Sequence, residues 1–163
     1  MQENRFRARL RSGGKLFVLA AALLAGVGAV GQPVGWILLT TTLGPTAYLL
    51  LAHPQTEAAR LRCCLLGHAC ATASGLGCLA AFGLWHYPSV IEGQHGTWRQ
   101  IIAQALAVGL TLLLLVLLDA HHPPAASTAL LIASGLARPG PPLYGMLTGL
   151  ALLFAGVALL SRV

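Results

Sequence analysis

Apolar residues along this chain are grouped into long runs, which are separated by short polar or proline-containing stretches. The pattern predicts six hydrophobic elements: residues 16–31, 33–52, 61–84, 100–118, 123–136 and 141–160. Most of them approach the roughly 20 residues that an α-helix needs to cross the hydrocarbon core of a bilayer. The fifth element is too short for an ordinary span, so the pattern leaves open whether it crosses or turns back as a re-entrant loop.

Composition favours a membrane protein. Charged residues make up 9% of the chain and hydrophobic residues 56%, whereas a soluble domain carries about 25% charged residues. We therefore predict an all-α fold, a polytopic transmembrane helical bundle of five to six elements, in contact with the lipid bilayer. A chain of 163 residues can form only a small bundle with little interior of its own, and we expect a homo-oligomer.

The basic residues indicate an orientation. Five of the ten precede the first apolar run, which favours a cytoplasmic N-terminal segment 1–15 over a nucleic-acid arm. The first run also has the length of a signal-peptide core, but we expect it to be retained as a transmembrane helix of a cell inner membrane. With six crossings, only Arg99 and Arg138 lie outside, and the cytoplasmic side holds Arg5, Arg7, Arg9, Arg11, Lys15, Arg60, Arg62 and Arg162.

The polar linker 86–98 divides a single transmembrane domain, residues 16–162, into halves 16–85 and 98–160. Two blocks recur in these halves: Thr46–Leu50 resembles Thr128–Ile132, and Leu65–Gly67 resembles Leu143–Gly145. Each half then consists of a helix, a proline-broken element and a glycine-rich helix. Three crossings per half would invert the second copy, as in many transporters with broken helices at mid-membrane.

The proline-broken elements are the predicted functional segments. Pro123 and Pro124 suit the first turn of a helix, and His122 before them is pushed into an extended conformation. We expect free N–H groups at Ala125 and Ala126, beside the hydroxyls of Ser127 and Thr128, to form a site for an anion.

In the first half, Pro45 would clash with the carbonyl of Thr41, so the segment from Thr40 to Ala47 is predicted to kink or unwind. It would also present hydroxyls and free backbone groups. The alternative for both breaks is purely structural, because proline kinks whose loose ends are closed by Ser and Thr occur in membrane helices.

Two groups of titratable residues allow several interpretations. His68, with Thr72 one turn further on, is either a functional group inside a span or a neutral imidazole bonded to a neighbouring helix. Asp119, with His121 and His122, suggests a proton relay at Asp119 and His122, a metal site, or only a local salt bridge or helix cap. We predict no metal and no cofactor, because no second cluster has ligand spacing.

Small residues are interpreted as packing positions. All four cysteines lie on one apolar helix, and this placement favours packing residues over disulfides or zinc ligands. They are Cys63, Cys64, Cys70 and Cys78. The spacings Gly145-x-x-x-Gly149 and Gly31-x-x-x-Gly35 match a helix-contact pattern, which is weak in a chain with 19 glycines.

Three blocks, in this order, resemble the HPP family of small integral membrane proteins: Gly44-Pro45-Thr46-Ala47, Gly67-His68 and His122-Pro123-Pro124-Ala125. The resemblance extends over residues 35–160. It implies a small multi-helix membrane protein, and since some plastid and cyanobacterial members are associated with nitrite transport, it implies a transporter or channel for nitrite or a similar small anion.

We therefore predict membrane transport of a small inorganic anion, with no enzymatic activity and no nucleic-acid partner. The alternative is a structural or sensory membrane module that binds a partner or small ligand without transporting it. A membrane enzyme using Asp119, His121 and His122 is the least favoured reading. The predicted substrate-binding residues are Thr42, Gly44, Pro45, Thr46, His68, Thr72, His122, Pro123, Pro124, Ala125, Ala126, Ser127 and Thr128.

Overall fold

A computed structural model describes residues 2–160, so Arg162 of the predicted charge pattern lies outside the described residues. Within residues 2–160 the chain forms six α-helices and no strand, which confirms the all-α fold. The helices are α1 (Gln2–Gly31), α2 (Leu43–Ala52), α3 (Leu61–Ala81), α4 (Trp98–Leu117), α5 (Ala125–Ala133) and α6 (Pro141–Leu160). Helices α1, α3, α4 and α6 are long and apolar enough to cross a membrane.

Helix α1 is longer than the first apolar run predicted. It begins at Gln2 instead of residue 16, and the basic N-terminal segment therefore continues the first span as one helix. The side chains of this basic segment are almost all exposed. Within α1 only Val27 and Gly31 are buried, so most of its apolar surface faces outward.

The two proline-broken elements share one construction, an unwound segment followed by a short helix. In the first half, residues 36–40 are irregular and α2 begins at Leu43. The predicted helix over 33–52 with a break at Gly44-Pro45 is thus wrong: Pro45 lies in the first turn of α2, where proline needs no hydrogen-bond acceptor. In the second half, residues 120–122 are irregular, and Pro124 is the N-cap of α5.

Contacts between loops define two faces of the bundle. The first face includes Ala58, in the connection between α2 and α3, and is called the Ala58 face. There the Arg62 guanidinium donates to the Leu118 carbonyl at 3.4 Å. This contact places the beginning of α3 beside the end of α4. On the opposite face, called the Ser89 face, the Val90 N–H donates to the Ser134 carbonyl at 3.1 Å. The linker after α3 therefore meets the end of α5.

The chain passes between these faces six times. Helix α5, with its unwound lead, runs from the Ala58 face to the Ser89 face, since His122 contacts Ala58 and Ser134 contacts Val90. The re-entrant alternative for the fifth element is therefore wrong. Helix α6 begins on the Ser89 face, the face at which α3 ends. The third helices of the two halves therefore run in opposite directions, as an inverted repeat requires.

The linker on the Ser89 face is held to the turn between α5 and α6. The Glu92 carboxylate accepts from the Ser89 N–H at 2.7 Å and from the Arg138 guanidinium at 3.2 Å. The Ser89 N–H, the Ser89 hydroxyl and then Arg138 lower the pKa of Glu92 from its ordinary value. A capping box between Thr97 and Gln100 then starts α4.

The two halves are interlocked through their third helices. Helix α3 of the first half packs against α4 and α5 of the second, and α6 of the second half packs against α1 and α2 of the first. The bundle thus consists of two groups, α1/α2/α6 and α3/α4/α5, each of which contains elements of both halves. We call the boundary between these groups the seam.

Equivalent glycines allow this exchange, which supports the repeat between Leu65–Gly67 and Leu143–Gly145. A Cβ atom on Gly67 would lie 2.9 Å from the Cβ of His122, and one on Gly145 would lie 2.6 Å from the Ile37 carbonyl oxygen. Each glycine therefore admits the unwound segment of the other half. The pattern Gly145-x-x-x-Gly149 packs against irregular main chain, because Gly149 lies on the Leu38 carbonyl.

Two glycines of α3 offer a matched test of this packing. A Cβ on Gly75 would lie 2.8 Å from the Cβ of Ile132, which is fully buried, whereas a Cβ on Gly77 would meet no atom within 4 Å. We expect Gly75→Ala to destabilise the protein by about 1–3 kcal/mol through overpacking. Gly77→Ala should be neutral or stabilising by about 0.5–1 kcal/mol, because alanine favours the helix. Thermal unfolding in detergent measures both, and equal effects would contradict the α3–α5 packing.

Candidate functional site

The first turns of the two short helices meet at the imidazole of His68. On one side the Thr128 hydroxyl of α5 lies 2.8 Å from Nδ1, and on the other the Thr46 hydroxyl of α2 lies 3.3 Å from Nε2. These two threonines occupy equivalent positions of the sequence repeat. One ring in α3 therefore connects the two proline-broken elements.

His122 completes this group from the Ala58 face. Its Nε2 lies 3.1 Å from Nε2 of His68, and its Nδ1 lies 2.8 Å from the Ala58 carbonyl oxygen. The two rings meet edge to face, with centroids 4.9 Å apart. The Phe154 ring of α6 lies 6.0 Å from the His68 ring and covers another side. Residue 122, the residue before two prolines, thus directs its imidazole inward.

The group is buried. Thr42, Thr46, Thr128 and His122 have no exposed surface, and His68 is 5% exposed. The Thr46 hydroxyl donates to the Thr42 carbonyl at 2.8 Å. Every buried side-chain nitrogen and oxygen within the described residues has a hydrogen-bond partner. We call these five residues the His68 cluster.

The backbone amides at the start of α5 do not form the predicted anion site. The N–H groups of Ala125 and Ala126 donate to the carbonyls of His122 and Pro123 at 3.0 and 3.2 Å, and the expectation of free donors is therefore wrong. These tight turn bonds use the amides that an anion would need. The Ser127 hydroxyl donates to the Pro124 carbonyl at 2.7 Å, so it is also engaged locally.

Other predicted site residues line grooves beside the cluster. A groove of about 470 Å³ lies between the starts of α2 and α5, and its lining includes Pro45, Pro123, Pro124, Ala126 and Ser127. A second groove, of about 480 Å³ between α3 and α6, reaches His68 and Thr72. The Thr72 hydroxyl donates to the His68 carbonyl at 2.7 Å, while Gly44 is exposed, with no atom within 4 Å of a Cβ built on it.

Asp119 and His122 are not brought together as the predicted proton relay requires. Asp119 pairs with His121 at 3.6 Å on the exposed Ala58 face, whereas His122 bonds to Ala58 and His68. Asp119 and His121 instead line a small polar pocket of about 80 Å³ with Glu57, Arg60, Arg62 and Cys63. In the described part of the chain, no three or more His, Cys, Asp or Glu side chains form a metal site, and all four cysteines are free thiols.

Sequence reasoning missed two members of this environment, Ala58 and Phe154, and did not list Thr40 as a site residue. Ala58 contributes only its carbonyl, and Phe154 is one apolar residue in an apolar helix, so neither carries a sequence signal. Thr40 lies in the predicted break, and its hydroxyl bonds to the Thr42 hydroxyl at 3.1 Å. The repeat did place Thr46 and Thr128 at equivalent positions, and His68 was recognised as a polar group inside a span.

Comparison with known proteins agrees with this architecture. The family model described as HPP, transmembrane region, matches residues 5–162. Searches of curated proteins and of solved structures gave no significant match. The match covers the interlocked bundle, both proline-broken elements and His68.

The Thr128 hydroxyl provides a direct test of the cluster. Thr128→Val keeps the shape of the side chain but leaves Nδ1 of buried His68 without its partner, so we expect a loss of about 1–3 kcal/mol. Thr148→Val in α6 is the matched control, because Thr148 is only half-buried and should change stability by less than about 0.5 kcal/mol. Thermal unfolding in detergent gives both values, and equal losses would show that the Thr128–His68 bond contributes nothing specific.

Proposed function

This chain belongs to the HPP transmembrane family, and we propose that it carries a small monovalent inorganic anion, nitrite or one of similar size, across the membrane. Family membership makes it a multi-pass membrane protein. The observation that carries the transport proposal is the His68 cluster, which lies between the two half-length helices of an inverted repeat. Polar groups at such a junction are where transporters with broken helices bind their solutes.

The cluster offers neutral donors instead of a fixed cation. The hydroxyls of Thr46 and Thr128 and the imidazoles of His68 and His122 can replace part of the water shell of an anion. A lysine or arginine at the same place would hold the anion too tightly for release. The proposed pathway therefore still runs along residues 122–128, which lead into α5, and residues 42–46, which lead into α2, but it is lined by their side chains.

Transport through this cluster requires movement, since its side chains are closed to solvent. The seam is the natural place for that movement, because three grooves interrupt its packing. Besides the grooves at Pro45 and at His68, one of about 340 Å³ lies towards the Ser89 face between residues 35–41 and 131–142 and includes Thr40 and Thr41. Rocking of one three-helix group against the other would expose the cluster to each face in turn.

Proton coupling belongs to the same proposal, with His68 replacing Asp119 as the partner of His122. The contact between the two Nε2 atoms is the place where a proton can be gained or lost.

Self-association is a further part of the proposal. The outward apolar side chains of α1, among them Phe17, Val18 and Val30, provide a surface for lipid or a second copy.

A non-transporting membrane module is the second candidate. The specific observation in its favour is burial of the cluster, since His122, Thr46 and Thr128 have no exposed surface. In that case the hydrogen bonds would serve only to join α2 and α5. Solute flux separates the two candidates.

The proposed orientation, with the Ala58 face in the cytoplasm of a cell with an inner membrane, follows from the basic residues. Seven described basic residues precede α4 at or near the Ala58 face, and two lie towards the Ser89 face. We expect Gln55→Cys and a cysteine added after Val163 to be labelled only from the cytoplasmic side, and His95→Cys only from outside. The unaltered protein corrects for its four native thiols. A C-terminal cysteine labelled from outside would contradict six crossings.

Uptake of nitrite into vesicles containing the purified protein tests the transport proposal. We expect protein-dependent flux, reduced about tenfold or more in Thr128→Val and in His122→Ala, a loss of about 1.4 kcal/mol of barrier stabilisation. Thr148→Val should retain flux within about twofold. Absence of flux in the unaltered protein, or flux unchanged in both cluster variants, would favour the non-transporting module.

A further inference from the structure

The hydrogen bonds of the His68 cluster assign its protons. The Ala58 carbonyl can only accept, so Nδ1 of His122 carries a hydrogen, and Nε2 of a neutral His122 is then an acceptor. Two lone pairs 3.1 Å apart would repel each other, so Nε2 of His68 carries the hydrogen that lies between the rings. Nδ1 of His68 therefore accepts from the Thr128 hydroxyl at 2.8 Å.

Thr46 fits the same assignment. Its hydroxyl hydrogen is directed to the Thr42 carbonyl at 2.8 Å, so its oxygen accepts from Nε2–H of His68 at 3.3 Å. With both rings neutral, each of these hydrogens has an acceptor. The contact between the two Nε2 atoms holds one hydrogen, and a second would place two N–H groups against each other. An extra proton can remain there only if an anion or a movement of the rings accommodates it.

No charged side chain within residues 2–160 forms a hydrogen bond or ion pair with the cluster. The groups that face the two imidazoles are the hydroxyls of Thr46 on α2 and Thr128 on α5, the Phe154 ring on α6 and the Ala58 carbonyl, which also accepts from the Cys64 thiol at 3.6 Å. The nearby charged residues belong to the pocket on the Ala58 face, namely Glu57, Arg60, Arg62 and Asp119, with the titratable His121 and Cys63. A bare anion in the cluster would therefore be buried without a counter-charge, which costs several kcal/mol.

We infer that the solute occupies the His68 cluster as the neutral conjugate acid of the anion, with its proton delivered by the His68–His122 pair, so that transport moves no net charge. This inference rests on the proposed transport of an anion. During loading, the pair takes one proton from solution, and the N–H bond at Nε2 of His122 breaks as an O–H bond forms on the anion. The pair returns to its neutral state with one shared hydrogen. On the other side the acid gives its proton to water, so one proton and one anion have crossed.

Vesicles containing the unaltered protein test this inference with nitrite as the probe at pH 7.5. The membrane potential is set with potassium and valinomycin, a dye reports lumenal pH, and protein-free vesicles correct for diffusion of nitrous acid. We expect one proton to enter per nitrite and the accumulation ratio to be independent of potential. A nitrite ion crossing alone would instead change its accumulation about 50-fold per 100 mV. No protein-dependent entry at any potential overturns transport itself, whereas entry that follows the potential leaves transport standing and overturns the inference.

Two variants place the proton at the pair. His122→Asn keeps a donor near the Ala58 carbonyl but has no nitrogen equivalent to Nε2. His68→Gln lacks an equivalent of Nδ1, and its amide, unlike an imidazole, cannot take up a proton. Both should reduce proton-coupled nitrite entry at least about tenfold. His95→Gln makes the same kind of change on the exposed linker and should stay within about twofold of the unaltered protein. Coupled entry at the original rate in His122→Asn would overturn the role of the pair, and if a variant does not fold, the potential measurement on the unaltered protein still decides.

Discussion

One imidazole imposes the main constraint on this bundle. A polar ring inside a membrane-spanning helix has no water to bond, so both nitrogens of His68 need partners from the protein. Thr128 and Thr46 supply them from the two short helices, and His122 adds a third contact. The exchange of third helices between the halves depends on the same ring. His68 of α3 reaches Thr128 of α5 only because α3 packs against the helices of the second half.

The proline-broken elements reach the interior without leaving polar groups unpaired. Each break exposes helix-start amides that would be expensive in a dry interior. The chain closes them locally: turn bonds engage Ala125 and Ala126, and the Ser127 hydroxyl closes the Pro124 carbonyl. The chemistry of the junction therefore belongs to side chains, whereas a site built from main-chain amides would have required these turns to be open.

The sequence predicted what depends on local pattern. The bounds of α6 and the existence of the other elements followed from runs of apolar residues, and the repeat placed Thr46 and Thr128 at equivalent positions. It did not predict that the unwound segment would precede Pro45, because a proline in a first turn and one at a kink have the same neighbours in sequence. Nor did it select the partners of His122. Ala58 bonds through a carbonyl that every residue has, so that choice depends on tertiary packing alone.

The division of hydrogen bonds across the seam indicates which contact would yield first in the proposed movement of the two groups. His68, Thr128 and His122 all belong to the group of α3, α4 and α5, and the bonds among them measure 2.8 and 3.1 Å. The bond from His68 to Thr46 is the longer one, at 3.3 Å, and it crosses to the other group. The seam also contains the grooves, so fewer packed atoms resist separation there. A rocking motion would therefore break the contact with Thr46 first and leave the histidine pair intact with its shared hydrogen.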